Sequence, residues 1–370
     1  MQNGSFKKQL KETLGYVVNG GPGICNIAIT NACNATCDFC NYARNKDFVT
    51  EKVMVEIKET CKALDVLYAR GIRYLTFSGG EPMLHPQLTD MVAHAVETGI
   101  KPSVCTNGST LSSKTIGALK EAGLKTLYIS IDASSARAHE LNRGLRGVCG
   151  RIEAANVELH RVGIKSVASV TINKLVKDYG RLLSFLQELK FQTVTFSYPK
   201  RALGSPSLVF SEDSNLVDYN TDELVSAFEN IISLKRQFDI QNPMESLTEM
   251  IRFLKRENQL FPCFGGYKYF FVDWNLDVYR CDFWPSKMCS IEQFLDTPLI
   301  RDNCTRCMSD CYRDSSVMLH FAVCLSDAIS HLKQGHLTQA ITALFARSNA
   351  RSIKALIQEW SLMSKLAHFG

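Results

Sequence analysis

Three cysteines lie close together in the segment Cys33-Asn-Ala-Thr-Cys37-Asp-Phe-Cys40. Three and then two residues separate them, and an apolar run precedes the first. Thiolate is a soft ligand that suits zinc, copper(I) and iron–sulfur clusters, and three thiolates in so short a segment can bind three irons of a cubane. The fourth iron would then lack a protein ligand. The spacing therefore predicts a metal site with one position open for chemistry.

A structural zinc site is the alternative, but such sites close with four ligands, commonly as paired C-x2-C units. No cysteine or histidine occurs in the twenty residues after Cys40. The spacing, with Phe39 directly before the third cysteine, resembles the C-x3-C-x2-C hallmark of the radical S-adenosylmethionine (radical SAM) superfamily. The segment is therefore interpreted as a cluster-binding loop.

This resemblance implies a 4Fe-4S cluster on Cys33, Cys37 and Cys40. Its unique iron would chelate the amino and carboxylate groups of S-adenosylmethionine, and reductive cleavage would give methionine and a 5′-deoxyadenosyl radical. The cofactor would carry the difficult step and the protein would position it. A reductant such as flavodoxin or ferredoxin is the implied partner.

The segment Gly79-Gly80-Glu81-Pro82 is the next feature that resembles the family pattern, one predicted strand after the cysteines. Glycines let the backbone approach a ligand closely, and a carboxylate can pair with an ammonium group. The resemblance implies that Glu81 pairs with the ammonium of the methionine moiety. Without its position at a strand end, the segment would be interpreted as a turn.

Polar side chains also follow the next two predicted strands, at Asn107, Ser130 and Asp132. The resemblance suggests that Ser130 and Asp132 face the ribose or the methionine carboxylate, with Asn107 nearby. Local capping of turns and helices is the alternative for each. Arg143 could clamp the methionine carboxylate with two hydrogen bonds, and a surface arginine is the competing interpretation.

A second group of cysteines begins at Cys263 and Cys281, which flank a predicted hairpin with strands at 269–274 and 278–280. Cys304 and Cys307 follow as a C-x2-C pair. This order resembles the twitch domain, a shortened relative of the SPASM domain, and implies an auxiliary 4Fe-4S cluster on these four cysteines. A structural zinc site would suit the same four thiolates. The surplus or alternative ligands are Cys289, Cys311 and Cys324.

Strands alternate with helices around these residues, which predicts a parallel sheet with right-handed crossovers. Periodicity leaves a doubly wound open sheet as an alternative, while the resemblance implies a partial (β/α)6 TIM-like barrel. The predicted strands are 24–30, 74–78, 102–106, 126–131, 166–172 and 193–197, and the predicted helices are 53–70, 87–98, 113–122, 151–162 and 178–189.

We expect five regions along the chain. A helix is predicted over residues 5–18, and a linker follows it. Residues 199–220 are predicted to form a long loop, which is interpreted as a lid. The expected regions are 1–23 (N-terminal helix and linker), 24–200 (barrel), 201–260 (loop and bridging helices), 261–324 (twitch-like domain) and 325–370 (amphipathic tail). The apolar stripe of the tail is expected to pack on the barrel, with a second subunit or a membrane surface as alternatives.

Composition sets wider limits. The 370 residues carry a net charge of +5, with no dense Lys/Arg block, so nucleic acid is not expected as a partner. The chain begins without the apolar core of a signal peptide, and no run of eighteen apolar residues occurs. We therefore expect a cytoplasmic protein whose 14 cysteines are thiols or metal ligands.

Together these features predict a radical SAM enzyme whose 5′-deoxyadenosyl radical abstracts hydrogen from a substrate carbon. Because the predicted barrel begins by residue 24, with no room before it for a peptide-recognition domain, a small-molecule substrate is preferred to a peptide. A non-catalytic iron–sulfur scaffold or sensor is the alternative from another class. Release of 5′-deoxyadenosine on anaerobic reduction would separate the two.

Overall fold

A computed structural model describes residues 15–44, 51–199, 213–281 and 283–367. These residues form one sheet of ten strands, in the order β10-β9-β8-β1-β2-β3-β4-β5-β6-β7. The strands are β1 Gly23–Ala28, β2 Ile72–Ser78, β3 Lys101–Thr106, β4 Thr126–Ser130, β5 Lys165–Thr171, β6 Thr193–Ser197, β7 Asp239–Ile240, β8 Tyr269–Val272, β9 Asp277–Tyr279 and β10 Cys289–Ser290.

Helices connect the strands and continue beyond them. They are α1 Asn41–Arg44, α2 Ile57–Ala69, α3 Leu88–Thr98, α4 Ser113–Glu121, α5 Ala136–Arg143, α6 Val148–Val162, α7 Tyr179–Glu188, α8 Thr221–Leu234, α9 Met244–Leu254, α10 Asp310–Lys333, α11 Leu337–Leu344 and α12 Arg347–Ala367. Strands β1 to β7 pair in parallel in chain order, so the predicted α/β fold with a parallel core is confirmed as that of a partial TIM-like barrel.

The sequence analysis did not predict helix α5, which lies next to the site. Helix α5 begins after Ser135, whose side chain accepts a hydrogen bond from the Ala138 N–H, and ends at Gly144 with φ 63°. Both are ordinary helix boundaries. The helix places Arg143 in its last turn. Of the predicted helix over 5–18, residues 5–14 lie outside the described residues, and residues 15–18 are helical.

The predicted hairpin of the second cysteine group is present as β8 and β9, which pair antiparallel. Strand β8 also pairs in parallel with β1, in the register Ile24 to Tyr269. The hairpin therefore extends the barrel sheet on the side opposite to β2. Because β1 leads directly to the first cysteine group, this pairing fixes the two groups in one framework.

Helix α10 corrects the predicted boundary at residue 324. It begins at Asp310, so Cys311 and Cys324 belong to a helix rather than to the hairpin region. The sequence prediction had placed the boundary after the last cysteine. In the structure, Tyr312 and Val317 on this helix are buried, and packing of such side chains fixes where the helix lies.

The tail differs from its prediction. Leu332, Leu337 and Ile341 are 51%, 61% and 50% exposed, so the expectation that they pack on the barrel is wrong. Helix α12 is attached instead through a smaller set of contacts: the Ser352 hydroxyl donates to the Val317 carbonyl, and Ala355 is buried. The side chains of Trp360 and Met363, which the predicted stripe includes, lie outside the described residues.

Helix α10 is also the one helix, within the described ranges, that is long and apolar enough to cross a membrane. It includes the fully buried Arg313 and the buried Tyr312, and the core helix of a folded domain meets the same criteria. The predictions of a cytoplasmic location and of membrane contact by the tail stay predictions.

Candidate functional site

The C-terminal ends of β1 to β4 bring the sequence-predicted residues to one edge of the sheet. The cysteine loop follows β1, Gly79 follows β2, Asn107 follows β3, and Ser130 ends β4. Parallel strands place all these positions on the same side of the barrel, where such folds keep their chemistry. The strand register confirms this placement for β1 and β2, because their last residues, Ala28 and Ser78, are paired.

The thiols of Cys33, Cys37 and Cys40 lie close enough to influence one another. Burial raises the pKa of all three, that of Cys37 to about 11, while the nearby charge of Arg143 lowers each. Thiolates held here therefore need further positive charge, which an iron–sulfur cluster would supply. The three thiols fit such a cluster.

The cysteine loop is fixed on one side by the end of β3. The amide nitrogen of Asn107 donates to the side-chain oxygen of Asn34 at 2.8 Å, and the amide nitrogen of Asn34 donates to the Ser109 hydroxyl at 2.9 Å. Asn107 thus positions the loop between the first two cysteines. Sequence reasoning missed Asn34, because its partner is 73 residues away.

Helix α5 fixes the loop on its other side. The Thr36 N–H donates to the Arg143 carbonyl at 2.9 Å, and the Asp38 N–H donates to the Asn142 side chain at 3.3 Å. The loop is therefore held by side chains and backbone from two neighbouring β/α units. Such support preorganises a cluster site before any metal is bound.

Glu81 is 1% exposed and is hydrogen-bonded to groups of the protein. Its Oε1 accepts from the Met83 N–H at 3.0 Å and the Thr106 hydroxyl at 2.7 Å, and its Oε2 accepts from the Asn107 N–H at 2.7 Å. Burial raises the pKa of this carboxyl, and the three donors oppose that rise. Glu81 therefore ties the end of β2 to the end of β3. Its pairing with a methionine ammonium stays a prediction.

We expect Glu81→Gln to lower the stability of the protein as well as its affinity for S-adenosylmethionine. In the glutamine variant an NH2 group replaces one carboxylate oxygen, so a donor that now bonds to Glu81 would lose its acceptor. Such a loss costs about 1–3 kcal/mol. Loss of a charged hydrogen bond to the ligand would cost a further 1.5–3 kcal/mol of binding energy, by the usual range for charged groups. Urea unfolding and calorimetry measure the two effects separately.

The exposed Glu97 on α3 provides the control, since Glu97→Gln should change neither quantity. A variant at Glu81 with lowered affinity and unchanged stability would limit this residue to ligand binding. Unchanged affinity with lowered stability would limit it to the connection between strands.

Asp132 and Arg143 form a buried ion pair beneath the cysteine loop. The Arg143 Nε and Nη2 donate to the two carboxylate oxygens at 2.8 and 2.7 Å, and the Asn142 amide donates to the same carboxylate at 2.8 Å. Burial alone would raise the pKa of Asp132, but the arginine outweighs it and the pKa is lowered. Two donors of Arg143 are therefore committed within the protein. Its predicted clamp on a methionine carboxylate, and the ligand contact predicted for Asp132, stay predictions.

The two glycines after β2 serve backbone packing. A Cβ on Gly79 would lie 2.1 Å from the Thr30 carbonyl oxygen, and one on Gly80 would lie 2.2 Å from that of Ala32. Gly79 also has φ 126°, which side-chain-bearing residues rarely adopt. The sequence predicted a close approach to a ligand. The structure shows a close approach between this turn and the start of the cysteine loop.

The segment after the barrel covers part of the cysteine loop. Phe39 is buried against Val217 and Leu216, and the Ser214 hydroxyl donates to the Asp38 carboxylate. Residues 213–220 of the predicted lid are described, and they contact the loop at the aromatic residue before its third cysteine. Residues 200–212 lie outside the described part of the chain.

We expect Val217→Ala to make the cluster more sensitive to air. The change removes apolar contact from Phe39 and should lower stability by about 1–2 kcal/mol, within the usual range for a buried truncation. Bleaching of the cluster's visible absorbance in air measures the effect. Val157→Ala on α6, where Val157 is 57% exposed, is the control and should bleach at the parental rate.

The second cysteine group lies beside the hairpin. The Cys263 N–H donates to the Cys304 carbonyl at 2.8 Å, and the charge of Arg280 acts on the thiols of Cys281 and Cys304. Burial and the nearby Cys307 thiol raise the pKa of Tyr198 to about 12. The hairpin thus brings three of the four predicted cysteines together around shared neighbours. The complete ligand set stays a prediction.

The surplus cysteines occupy other places. Cys289 is buried in the core on β10, and the Cys324 sulfur lies 3.6 Å from the His320 Nε2. Burial and the thiols of Cys105 and Cys311 raise the pKa of Tyr128 to about 12, which places Cys311 near the inner face of the barrel. Over the described residues, no three His, Cys, Asp or Glu side chains are arranged to hold a single ion. A cubane does not require that arrangement, because each thiolate binds a different iron.

Comparison with known proteins agrees with this geometry. Residues 27–181, which include the cysteine loop and strands β2 to β5, match the model described as the Radical SAM superfamily. Residues 27–181 of the chain therefore form a radical SAM domain. The matched region contains every barrel residue discussed above from Cys33 to Arg143.

Curated relatives match parts of the chain. An Fe-coproporphyrin III synthase of Methanosarcina barkeri is 33% identical over 192 residues, which is 51% of this chain and 46% of the relative. A GTP 3′,8-cyclase of Chlorobaculum tepidum is 36% identical over 107 residues, which is 29% of this chain and 32% of the relative. The chain thus matches less than half of the length of either relative.

A solved structure shows the same fold over a longer range. Streptococcus suis SuiB bound to its precursor peptide SuiA has a TM-score of 0.54, with 15% identity, and the match covers 83% of this chain and 74% of SuiB. At this identity the likeness concerns the fold alone. It extends beyond the matched domain, because residues 27–181 make up less than half of the chain.

Proposed function

We propose that this protein is a radical SAM enzyme that generates a 5′-deoxyadenosyl radical and abstracts hydrogen from a neutral, polar substrate. The observation that carries the proposal is the cysteine loop, fixed between β3 and α5 with three thiols at the C-terminal edge of the barrel. When bound there, a 4Fe-4S cluster supplies the electron that cleaves S-adenosylmethionine. A one-electron reductant such as flavodoxin or ferredoxin is the proposed partner.

The residues of the chain bind and orient around that edge. Cys33, Cys37 and Cys40 would hold the cluster, and Arg143 contributes positive charge close to their sulfur atoms. Ser130 lies on the inner face, hydrogen-bonded to the Cys105 thiol, and its partial exposure makes it available to a ligand in the barrel. These contacts favour one ligand that touches several strand ends at once.

The inner face of the barrel supports a neutral substrate. Toward the C-terminal ends of β2 to β5, the residues that alternate with the buried core are uncharged and partly accessible: Thr76, Ser78, Ser103, Cys105, Tyr128, Ser130, Ser169 and Thr171. The last three residues of each strand from β1 to β6 include no charged side chain. Recognition of a phosphorylated substrate commonly uses arginine or lysine. Hydroxyl groups suit sugars, amides or similar polar groups.

A peptide is the second candidate substrate. The fold extends over most of SuiB, whose structure contains a precursor peptide. A small neutral molecule remains our proposal, because the inner face carries small hydroxyl groups at successive strand ends. The surface pocket between the cysteine loop, α5 and the segment 213–220 would be the entry for a peptide side chain.

Anaerobic reduction of the reconstituted protein with dithionite tests the proposed class. Release of 5′-deoxyadenosine from S-adenosylmethionine is the expected product. With a deuterated candidate substrate, transfer of deuterium into 5′-deoxyadenosine would identify the carbon attacked. A protein with a complete cluster that releases none would be a scaffold or sensor instead.

We also propose that Cys263, Cys281, Cys304 and Cys307 bind an auxiliary 4Fe-4S cluster. Support comes from the hairpin contacts of the first three and the C-x2-C spacing of the last two. With four protein ligands this cluster would hold the region together or relay an electron. Iron counting and low-temperature EPR distinguish it from structural zinc.

A further inference from the structure

Arg313 is a buried charge that the predicted site does not use. It lies in the first turn of α10 with 0% exposure and is among the largest fully buried side chains. Its Nη2 donates to the Gln259 side chain at 2.9 Å and to the Phe261 carbonyl. Its Nε and Nη1 have no hydrogen-bond partner in the described part of the chain. Buried charges normally have an ionic partner, because desolvation is costly.

The nearest carboxylate balances this charge only in part. Glu249 Oε2 lies 3.9 Å from Arg313 Nη2, outside hydrogen-bond distance, and accepts from the Leu260 N–H at 2.8 Å. Its Oε1 is bonded to Arg252 at 2.9 Å. Two arginines therefore share one buried carboxylate, and within the described part of the chain no carboxylate accepts a hydrogen bond from Arg313.

The Arg313 side chain lies against the segment that contains Cys263. Arg313 bonds the Phe261 carbonyl, and the Ser316 hydroxyl, one turn along α10, accepts from the Phe264 N–H at 2.9 Å. Cys263 is thus held on α10 from both sides. Burial raises the pKa of its thiol and the nearby charge of Arg313 opposes that rise.

We propose that Arg313 is the buried counter-charge of the auxiliary cluster and that it raises the cluster's reduction potential. The assignment rests on the auxiliary cluster proposed above. Four thiolates and a 4Fe-4S core carry net negative charge, which grows by one when the cluster accepts an electron. A fixed cation in a medium of low dielectric constant therefore stabilises the reduced form more than the oxidised form.

The two cluster sites differ in this respect. At the cysteine loop, the positive charge of Arg143 is balanced by a bidentate contact with Asp132. At the hairpin, Arg280 is likewise paired with Asp302 at 2.9 Å, while Arg313 Nη2 lies 3.9 Å from the carboxylate of Glu249. The auxiliary site is therefore the one whose buried arginine has no hydrogen-bonded carboxylate among the described residues.

The test is a redox titration, followed by EPR, of the full chain with Cys33, Cys37 and Cys40 changed to alanine, so that the auxiliary cluster alone gives a signal. Arg313→Gln should disfavour reduction about tenfold, which is a fall of ~59 mV for a one-electron couple. Arg313→Lys should keep the parental midpoint. Arg161→Gln removes a charge from an exposed pair on α6 and should also leave the midpoint unchanged.

Glu249→Gln gives a second measurement with the opposite sign, since it removes the opposing negative charge and should raise the midpoint. If Arg313→Gln assembles the cluster with an unchanged midpoint, the assignment is overturned. Should that variant not fold, an unchanged midpoint in Glu249→Gln overturns it. A parent protein with no reducible iron would overturn the auxiliary cluster itself, which separates that failure from this one.

Discussion

Replacing Cys33, Cys37 and Cys40 together by alanine should abolish release of 5′-deoxyadenosine and leave about four irons per chain. The three thiols share one loop, which is fixed at Asn34 by the end of β3. The hairpin group lies on the other side of β1 and should assemble independently. Iron analysis and product detection on the same preparation measure both effects.

Cys61→Ala is the matched control, because Cys61 lies on the outer helix α2, away from both groups. It should leave iron content and product unchanged. If the triple variant still released 5′-deoxyadenosine on reduction, the assignment of the cysteine loop would be wrong. Loss of all iron would instead show that the hairpin group binds none.

Local patterns were enough to predict the strands of the barrel, whereas the closure of the sheet toward a barrel was implied by the family resemblance. Each strand from β2 to β6 is a short apolar run after an amphipathic helix, and the structure places each boundary within about two residues. Strand β6 has the predicted bounds, 193–197. Helix α5 was missed because its residues are mostly polar, so its capping residues were the only local signal.

The contacts that shape the site could not be read from the sequence, because they join distant residues. Glu81 has a charge that suits an ammonium, yet its strong donors come from Thr106 and Asn107 on the next strand. The pairing of β8 with β1 joins segments some 245 residues apart, as in Ile24 with Tyr269. Nothing in a local pattern specifies such a partner.

The exposed tail is a second case in which the sequence pattern did not determine a tertiary contact. An amphipathic stripe predicts that one face is buried, but not how much of it the fold covers. Here α12 packs on α10 at Val317, while Leu337 and Ile341 on α11 remain exposed. The tail has the predicted helical periodicity of apolar residues, but this periodicity does not determine which surface packs against them.

Electrostatics connect these long-range contacts to the cysteine loop. Asp132 accepts three side-chain hydrogen bonds from α5, two of them from Arg143. Its N–H donates to the Nδ1 of His139, which is fully buried and whose pKa burial lowers to about 4. Arg143 and Asn142 in turn hold the cysteine loop. Asp132 is therefore the residue on which both helix and loop depend.

Asp132→Asn should destabilise the protein by about 3–5 kcal/mol, because it leaves the Arg143 charge buried without its partner. Urea unfolding of the metal-free protein measures the change. The control is Glu158→Gln, which breaks an exposed pair with Arg161 and should cost about 0.5 kcal/mol or less. A loss at Asp132 no larger than the control's would show that the pair carries little of the fold's stability.

The pH dependence of the free energy of unfolding provides an independent test of the same residue. The folded pKa of Asp132 is below its ordinary value, so its contribution is fully present above the unfolded pKa of about 3.9 and is lost as the pH falls through the folded pKa. The Asn variant has no proton to bind there. The stability difference between the two proteins should therefore be constant near neutral pH and shrink below about pH 4, and a difference that grew on acidification would contradict the assigned ion pair.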